Sequence, residues 1–129
     1  MVGLVLVSHS REIAHGLADL VRQMAGEIPL VAVGGTADGR LGTDATAVMA
    51  AIEQIWTPEG VLLLMDLGSS VMSAETALEL LPGDRAAQVL LCGAPFVEGA
   101  IAAGVEASLG KSLAEVRAAA DTAGTIAKL

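Results

Sequence analysis

The hydrophobic residues of this chain are grouped into short runs that are separated by longer segments with helical periodicity. Four of these runs are continuously apolar: Val2–Val7, Ile28–Val33, Val61–Met65 and Ala87–Cys92. Strands that are apolar on both faces are typical of a parallel sheet with helices on each side. The other segments predict helices over Glu12–Ala25, Thr43–Ile55, Ser70–Leu81, Val97–Ser108 and Leu113–Ala123. The pattern therefore predicts an α/β fold built on a four-stranded parallel sheet.

Turn-forming residues follow each predicted strand and mark the loops at one edge of the sheet. They are Ser8–Ser10, Gly34–Thr36, Asp66–Ser70 and Gly93–Pro95, in chain order. Right-handed crossovers place helices on both faces only if the strand order reverses, and ligands bind in the crevice at that reversal. We expect the order 2-1-3-4, with the reversal between the first and third strands. That order predicts that His9 and Asp66 lie side by side.

His9 and Asp66 have the chemistry needed for phosphoryl transfer. A neutral imidazole is nucleophilic at one nitrogen only when the other carries the proton, and a neighbouring carboxylate fixes that tautomer. The helix start after the first strand also offers free N–H groups and a positive dipole end to an anion such as phosphate. We predict His9 as the nucleophile and Asp66 as its supporting carboxylate. The alternatives are a turn histidine with no catalytic task and an N-cap role for the aspartate.

Small polar residues in these loops are candidate ligands for the phosphoryl oxygens. They comprise four hydroxyls and the backbone N–H groups near three glycines: Ser8, Ser10, Ser69, Ser70, Gly34, Gly35 and Gly68. For Ser69 and Ser70, helix capping is at least as good an explanation as a phosphate contact.

Arg11 and His15 follow His9 on the first predicted helix. A cation in the first helical turn opposes the helix dipole, so we predict that Arg11 contacts a phosphoryl group or an acidic partner surface. A solvated arginine beside Glu12 is the alternative. At 100° per residue, His15 lies too far around the helix to share a site with His9, so we expect it at the surface or at an interface.

Composition and charge exclude several classes of function. The 129 residues are 53% hydrophobic, with mean hydropathy +0.66, formal net charge −8, no Tyr, one Trp and one Phe. Nucleic-acid binding is not expected, because a basic stripe and stacking aromatic residues are both missing. Since no apolar segment is long enough to cross a membrane and no basic signal-peptide start is present, we expect a soluble, cytoplasmic protein. The lone Cys92 fits a reducing compartment.

Other motifs fit the sequence less well. Gly104–Ser112 resembles a P-loop, but five residues instead of four separate its glycines and it follows a helix instead of a strand. No dinucleotide-binding glycine motif follows a strand, and no metal is expected, because the two His and one Cys lack ligand spacing. A hydrolase triad of Ser69, His9 and Asp66 remains an alternative, although no Gly-x-Ser-x-Gly elbow is present.

Several stretches of the chain resemble one family closely. They are Leu4–Ser10, Gln23–Met24, Gly34–Gly35, Gly42–Ala45, Met65–Ser69, Ser73–Ala77, Ala94–Pro95 and Val97–Gly99. They resemble the phosphotransferase subunits, DhaM, of phosphoenolpyruvate-dependent dihydroxyacetone kinases, a branch of the mannose-type enzyme IIA family. The strand followed by Ser-His-Ser is shared with sugar-specific members, whereas the later stretches are typical of the dihydroxyacetone branch.

The resemblance implies a homodimeric, cytoplasmic phosphotransferase of glycerol metabolism, with one mannose-type enzyme IIA domain over residues 1–129 and a phosphohistidine at His9. Asp66 matches the carboxylate that supports this histidine. The implied phosphoryl donor is the phosphocarrier protein HPr. The implied acceptor is ADP held with Mg on the subunit DhaL, while DhaK binds dihydroxyacetone, so this chain itself binds no cofactor.

The resemblance leaves some points open. Some family members carry HPr-like and enzyme I-like domains after the first domain, whereas this chain ends at Leu129. We therefore expect either separate carriers or a longer natural product. A IIA component of a sugar-transport phosphotransferase system and a non-enzymatic regulatory module are the alternative functions. The high apolar content independently predicts an interface with a partner, which the resemblance makes a second copy.

Overall fold

The computed structural model describes residues 1–129 and confirms the predicted α/β architecture. Strands β1 (Gly3–Ser8), β2 (Leu30–Gly34), β3 (Val61–Met65) and β4 (Val89–Cys92) form one parallel sheet in the order β2-β1-β3-β4. The helices are α1 (Arg11–Ala25), α2 (Ala45–Ile55), α3 (Gly68–Leu80), α4 (Gly83–Ala86), α5 (Phe96–Ser108) and α6 (Leu113–Ala123). The strand order is the one expected from the reversal argument.

Two hydrophobic cores lie on opposite faces of the sheet. Helices α1, α5 and α6 cover one face, and α2 and α3 cover the other. Along β1, Leu4 and Leu6 belong to the first core, whereas Val5 and Val7 belong to the second. Because successive side chains of a strand point to opposite faces, a strand covered on both sides must be apolar throughout. This requirement explains the continuous hydrophobic runs in the sequence.

Two helix starts differ from the predictions because capping residues set them. Helix α1 begins at Arg11 instead of Glu12, since the Ser10 hydroxyl accepts the Ile13 N–H at 3.3 Å and makes Ser10 the N-cap. Helix α2 begins at Ala45 instead of Thr43, because the Asp44 carboxylate accepts the Thr46 N–H at 2.9 Å. Both caps lie at the edge of the sheet that carries His9.

The prediction for the fourth strand was wrong at its start. The strand was expected over Ala87–Cys92, but β4 begins at Val89. The short helix α4, which was not predicted, follows Pro82, and the Ala87 N–H donates to the Gly83 carbonyl at 3.1 Å. Ala87 therefore still belongs to a helical turn, which its apolar character could not reveal.

The remaining differences are small and lie at the ends of elements. Strand β1 runs from Gly3 to Ser8 instead of Val2 to Val7, and β2 runs from Leu30 to Gly34 instead of Ile28 to Val33. Helix α3 runs from Gly68 to Leu80 instead of Ser70 to Leu81, and α5 begins at Phe96 directly after Pro95. The segment that resembles a P-loop, Gly104–Ser112, covers the end of α5 and the turn before α6. A Cβ on Gly104 would lie 2.6 Å from the Val21 side chain, so this glycine allows α5 to pack against α1. No helix combines the length and apolar character that a membrane crossing requires.

Candidate functional site

Strands β1 and β3 end next to each other where the strand order reverses. Val7 is in register with Met65, and the Asp66 N–H donates to the Val7 carbonyl at 3.1 Å. His9 and Asp66 therefore emerge at the same point of the sheet edge. Nδ1 of His9 lies 3.0 Å from Oδ1 of Asp66. The structure thus brings together the two residues that the strand order predicted to be neighbours.

The Asp66 carboxylate is the best-connected group of the site. Its Oδ1 accepts hydrogen bonds from His9 Nδ1 at 3.0 Å and from the Leu67 N–H at 2.7 Å. Its Oδ2 accepts the Ser8 hydroxyl at 2.9 Å and the His9 N–H at 3.0 Å. The carboxylate side chain is 13% exposed. Each oxygen therefore accepts two hydrogen bonds, one of them from a backbone N–H.

These hydrogen bonds determine the charge of the carboxylate. Burial acts to raise the pKa of Asp66, but hydrogen bonds from the His9 N–H, the His9 ring, the Ser8 hydroxyl and the Leu67 N–H outweigh it and lower that pKa to about 2. Asp66 is therefore ionised at every pH at which the protein would work. It can act as a fixed acceptor, and it cannot donate a proton.

The ionised carboxylate fixes the tautomer of His9. Because Asp66 can only accept, the proton of the neutral imidazole lies on Nδ1 and the lone pair lies on Nε2. Nε2 is 2.6 Å from the hydroxyl oxygen of Ser69, so the Ser69 hydroxyl donates to it. The His9 side chain is 25% exposed. The Asp66 carboxylate thus holds the ring through Nδ1, and the nucleophilic Nε2 faces the exposed Ser69.

The other three predicted serines, Ser8, Ser10 and Ser70, make hydrogen bonds within the protein. Ser8 is buried; its hydroxyl donates to Asp66 and accepts the Ser10 N–H at 3.0 Å. The Ser10 side chain caps α1. Ser70 is buried, and its hydroxyl donates to the Leu67 carbonyl at 2.6 Å. A phosphoryl contact by any of these three hydroxyls would replace a hydrogen bond that now holds the loops in place.

The first turn of α3 offers unpaired donors beside Nε2. The N–H groups of Gly68 and Ser69 make no hydrogen bond, as expected for the first residues of a helix. The N-cap of this helix is Leu67, which has no capping side-chain hydrogen bond. Asp66 thus precedes the cap and points to His9 instead. The positive end of the α3 dipole and two free N–H groups thus lie in the same helical turn as the Ser69 hydroxyl that contacts Nε2.

The loop between β2 and α2 closes the site on its other side. A Cβ on Gly34 would lie 2.4 Å from the Ser10 carbonyl oxygen, and Gly35 has φ +74°, so both glycines let this loop lie against the start of α1. The Gly42 N–H donates to the His9 carbonyl at 2.9 Å. Gly42 was not among the predicted site residues. Its only sequence signal was its place in a stretch that matched the family.

Arg11 and His15 lie on the side of α1 that faces β2. Both side chains are exposed and line a groove along β2 together with Gly34 and Gly35. Arg11 forms no ion pair within the chain, so its charge is free to meet a group from outside. His15 makes no hydrogen bond to His9 or Asp66.

The chain is similar to proteins of one known family along most of its length. The family described as EIIA-man, PTS system fructose IIA component, matches residues 3–117. The phosphoryl donor subunit DhaM of a PEP-dependent dihydroxyacetone kinase from Providencia stuartii is 48% identical over 120 residues, which is 90% of this chain and 25% of that protein. The corresponding subunit of kinase 2 from Listeria innocua is 40% identical over 113 residues, covering 87% of this chain and 90% of the relative.

A solved structure also matches over nearly the whole chain. The crystal structure of EF1359, described as a protein of unknown function, is 36% identical, has a TM-score of 0.82, and covers 94% of each chain. The chain belongs to the EIIA-man family of phosphotransferase-system IIA components, in the branch formed by the DhaM phosphoryl donor subunits. It spans about a quarter of the length of the Providencia relative and nearly all of the Listeria one.

Proposed function

We propose that this chain is the phosphoryl-transfer subunit of a phosphoenolpyruvate-dependent dihydroxyacetone kinase and that it works through a phosphohistidine at His9. One observation carries the proposal: the ionised Asp66 lies 3.0 Å from Nδ1 and leaves Nε2 as the nucleophilic nitrogen. The names of the relatives, which are phosphoryl donor subunits of such kinases, support the choice of reaction. The reaction would take place in the cytoplasm.

In the first half of the reaction, His9 is phosphorylated. The Nε2 lone pair attacks the phosphorus of a phosphorylated carrier, proposed to be HPr, and the bond from phosphorus to the carrier breaks. The carrier leaves with the electron pair of that bond. The proton on Nδ1 stays in its hydrogen bond to Asp66, which stabilises the positive charge that develops on the ring. Ser69 gives up its hydrogen bond to Nε2 when the phosphorus–nitrogen bond forms.

The second half returns His9 to its starting state. A terminal oxygen of ADP, proposed to be held with Mg on DhaL, attacks the phosphorus while the bond to Nε2 breaks. ATP forms on the partner, and Nε2 regains its lone pair. Dihydroxyacetone on DhaK is the final acceptor in this scheme. The nucleotide is proposed to stay on the partner because the sequence of this chain contains no phosphate-binding loop.

The first turn of α3 is proposed to hold the transferred group. The unpaired N–H groups of Gly68 and Ser69 would donate to phosphoryl oxygens, and the Ser69 hydroxyl would move from Nε2 to the same oxygens. Ser8, Ser70 and Gly34 would act by holding Asp66, Leu67 and the α1 start in place. Arg11 is proposed to contact the partner protein or the phosphate that it carries.

Reconstitution tests this function directly. The chain phosphorylated by phosphoenolpyruvate, enzyme I and HPr is mixed with DhaL carrying ADP, with DhaK and with dihydroxyacetone. We expect dihydroxyacetone phosphate to form, and we expect its formation to stop when DhaL is left out. The product is measured by a coupled dehydrogenase assay or by mass spectrometry.

One outcome of that experiment would assign a different function to the chain. If the phosphoryl group stays on the chain in the full mixture but moves promptly to a sugar-specific IIB protein, the chain serves sugar transport. The family description, which names a fructose IIA component, makes this the alternative to test in parallel.

We also propose that the chain is a homodimer. Large apolar side chains remain exposed on α1, with Ile13 54%, Leu20 44% and Met24 60% exposed. Contiguous apolar surface on a globular chain is typical of an interface. Light scattering at micromolar concentration should give about twice the chain mass of 12.9 kDa. A mass equal to one chain at the same concentration would contradict this prediction.

A further inference from the structure

Two segments of the chain meet at Nε2 of His9. One is the junction between β1 and α1, which carries His9 itself, and the other is the first turn of α3, which carries Ser69. The Ser69 hydroxyl donates to Nε2 at 2.6 Å. In the proposed reaction this hydrogen bond is lost when the phosphorus–nitrogen bond forms. Other contacts must then hold α3 against the phosphorylated ring.

The loop between β2 and α2 provides such a contact through two adjacent residues. The Gly42 N–H donates to the His9 carbonyl at 2.9 Å. The hydroxyl of the next residue, Thr43, lies 2.5 Å from the Ser73 hydroxyl on α3. These two residues thus join the two segments that meet at Nε2, and we refer to Gly42 and Thr43 as the bridge. The bridge is fixed in turn, because Asp44 follows it directly and caps α2.

The hydroxyl groups of α3 differ according to the face of the helix on which they lie. Ser70 and Thr76 donate to backbone carbonyls three and four residues earlier in the chain, at 2.6 and 3.0 Å. Ser69 and Ser73 are four residues apart, so they lie on one face of α3, and their hydroxyls reach His9 and the bridge respectively. The face of α3 that contacts Nε2 is therefore the face that the bridge holds.

Helix α3 has no side chain at its N-cap position that fixes its first turn. Its N-cap, Leu67, makes no side-chain hydrogen bond, whereas α1, α2 and α6 are capped by the side chains of Ser10, Asp44 and Ser112. The Asp66 carboxylate accepts the Leu67 N–H and so holds the chain just before the helix. The first turn of α3 itself depends on contacts with other parts of the chain, and the bridge is one of them.

We propose that Thr43 and Ser73 are positioning residues that hold the first turn of α3 against the phosphorylated imidazole of His9. The inference rests on the proposed function. An N–H group donates to a phosphoryl oxygen only at about 3 Å and in a nearly linear geometry. The bridge keeps the free N–H groups of Gly68 and Ser69 in place after the Ser69 hydroxyl has left Nε2.

This role has a thermodynamic consequence. In the unphosphorylated chain, the hydrogen bond from Ser69 to Nε2 also holds α3 against His9. In the phosphorylated chain that hydrogen bond is absent, so the link between Thr43 and Ser73 contributes more. The link therefore stabilises the phosphorylated chain more than the unphosphorylated one, and it shifts the exchange of the phosphoryl group toward His9.

The equilibrium of phosphoryl exchange with HPr tests the proposal. The chain is mixed with phospho-HPr, and intact mass gives the phosphorylated fraction of each protein once exchange is complete. We expect the equilibrium constant to shift toward phospho-HPr by about three- to tenfold in Thr43→Val and in Ser73→Ala, because each variant loses the same hydrogen bond. Thr43→Ser keeps the hydroxyl and should restore the parental constant. The double variant should shift it no further than either single variant.

Thr76→Val is the matched control for Thr43→Val. It removes a hydroxyl of α3 that donates only to the Met72 carbonyl of the same helix, so its constant should equal that of the parent chain. The equilibrium constant does not depend on how fast the two proteins exchange the phosphoryl group. A loss of folding stability that is common to both states of the chain also leaves it unchanged.

The outcomes separate the positioning role from the proposed function. If Thr43→Val and Ser73→Ala have parental constants, or only exchange more slowly, the positioning role is overturned while the proposed function stands. A shift of the same size in Thr76→Val would also overturn it. If circular dichroism shows that Thr43→Val does not fold, Ser73→Ala decides the question. If phospho-HPr does not phosphorylate the parent chain, the proposed function has failed, and the positioning role fails with it.

Discussion

His9→Ala is expected to fold like the parent chain and to take up no phosphoryl group. The imidazole is partly exposed and lies outside both hydrophobic cores, so its loss removes no core packing. The variant nevertheless loses the imidazole, whose Nδ1 lies 3.0 Å from Asp66 and whose Nε2 lies 2.6 Å from the Ser69 hydroxyl. Incubation with phosphoenolpyruvate, enzyme I and HPr, followed by intact mass, should show the added phosphoryl group on the parent and none on the variant.

His15→Ala provides the matched control for this experiment. His15 is exposed on the same helix that follows His9, and it has no carboxylate partner. This variant should accept the phosphoryl group at the parental rate, and the label on both proteins should be acid-labile, as expected for phosphohistidine. Label that remains on His9→Ala, or that maps to His15, would overturn the assignment of the nucleophile.

Asp66→Asn is expected to slow phosphoryl transfer by about 10²- to 10⁴-fold, the range typical of groups that fix a catalytic histidine. A side-chain amide cannot hold the proton on Nδ1 as a carboxylate does. Substitution also has a structural cost, because each oxygen of Asp66 accepts a backbone N–H, from Leu67 or from His9. Whichever way the amide of this variant points, its NH₂ group faces one of these donors.

The pH dependence of the free energy of unfolding measures the structural cost of Asp66→Asn separately from its effect on phosphoryl transfer. The folded-state pKa of Asp66 is about 2, against an ordinary value of 3.8. A lowered pKa gives stability that is fully present above pH 3.8 and is lost as pH falls through 2. At neutral pH we expect the parent to be more stable than Asp66→Asn by about 2 kcal/mol.

Denaturant unfolding between pH 7 and pH 2 measures this difference, with Glu53→Gln on the exposed face of α2 as the control. The gap between the parent and Asp66→Asn should narrow as pH falls below 3.8. A gap that stays constant over this range would mean that the charge of Asp66 contributes nothing to folding. Transfer at the parental rate by the asparagine variant would mean that Asp66 does not support His9 in catalysis.

The sequence by itself determined the sheet and the location of the site. Continuous apolar runs such as Val61–Met65 are typical of strands covered on both faces, and this pattern follows from hydrophobic burial. The handedness of crossovers then restricted the strand order, and the order brought His9 and Asp66 together. Element ends were less predictable, as α4 shows, because caps and short turns depend on a few local hydrogen bonds.

Only the tertiary structure decided which hydrogen bonds the residues of the candidate site make. The sequence offered Ser8, Ser69 and Ser70 as candidate phosphate ligands, with capping as an alternative for the last two. In the fold their hydroxyls contact a carboxylate, an imidazole and a backbone carbonyl respectively. The link from Gly42 to the His9 carbonyl joins segments that are distant in the chain. A hydrogen bond requires atoms to approach within about 3 Å at a defined angle. Such geometry depends on how separate elements pack, whereas hydrophobic periodicity records only which face of each element is buried.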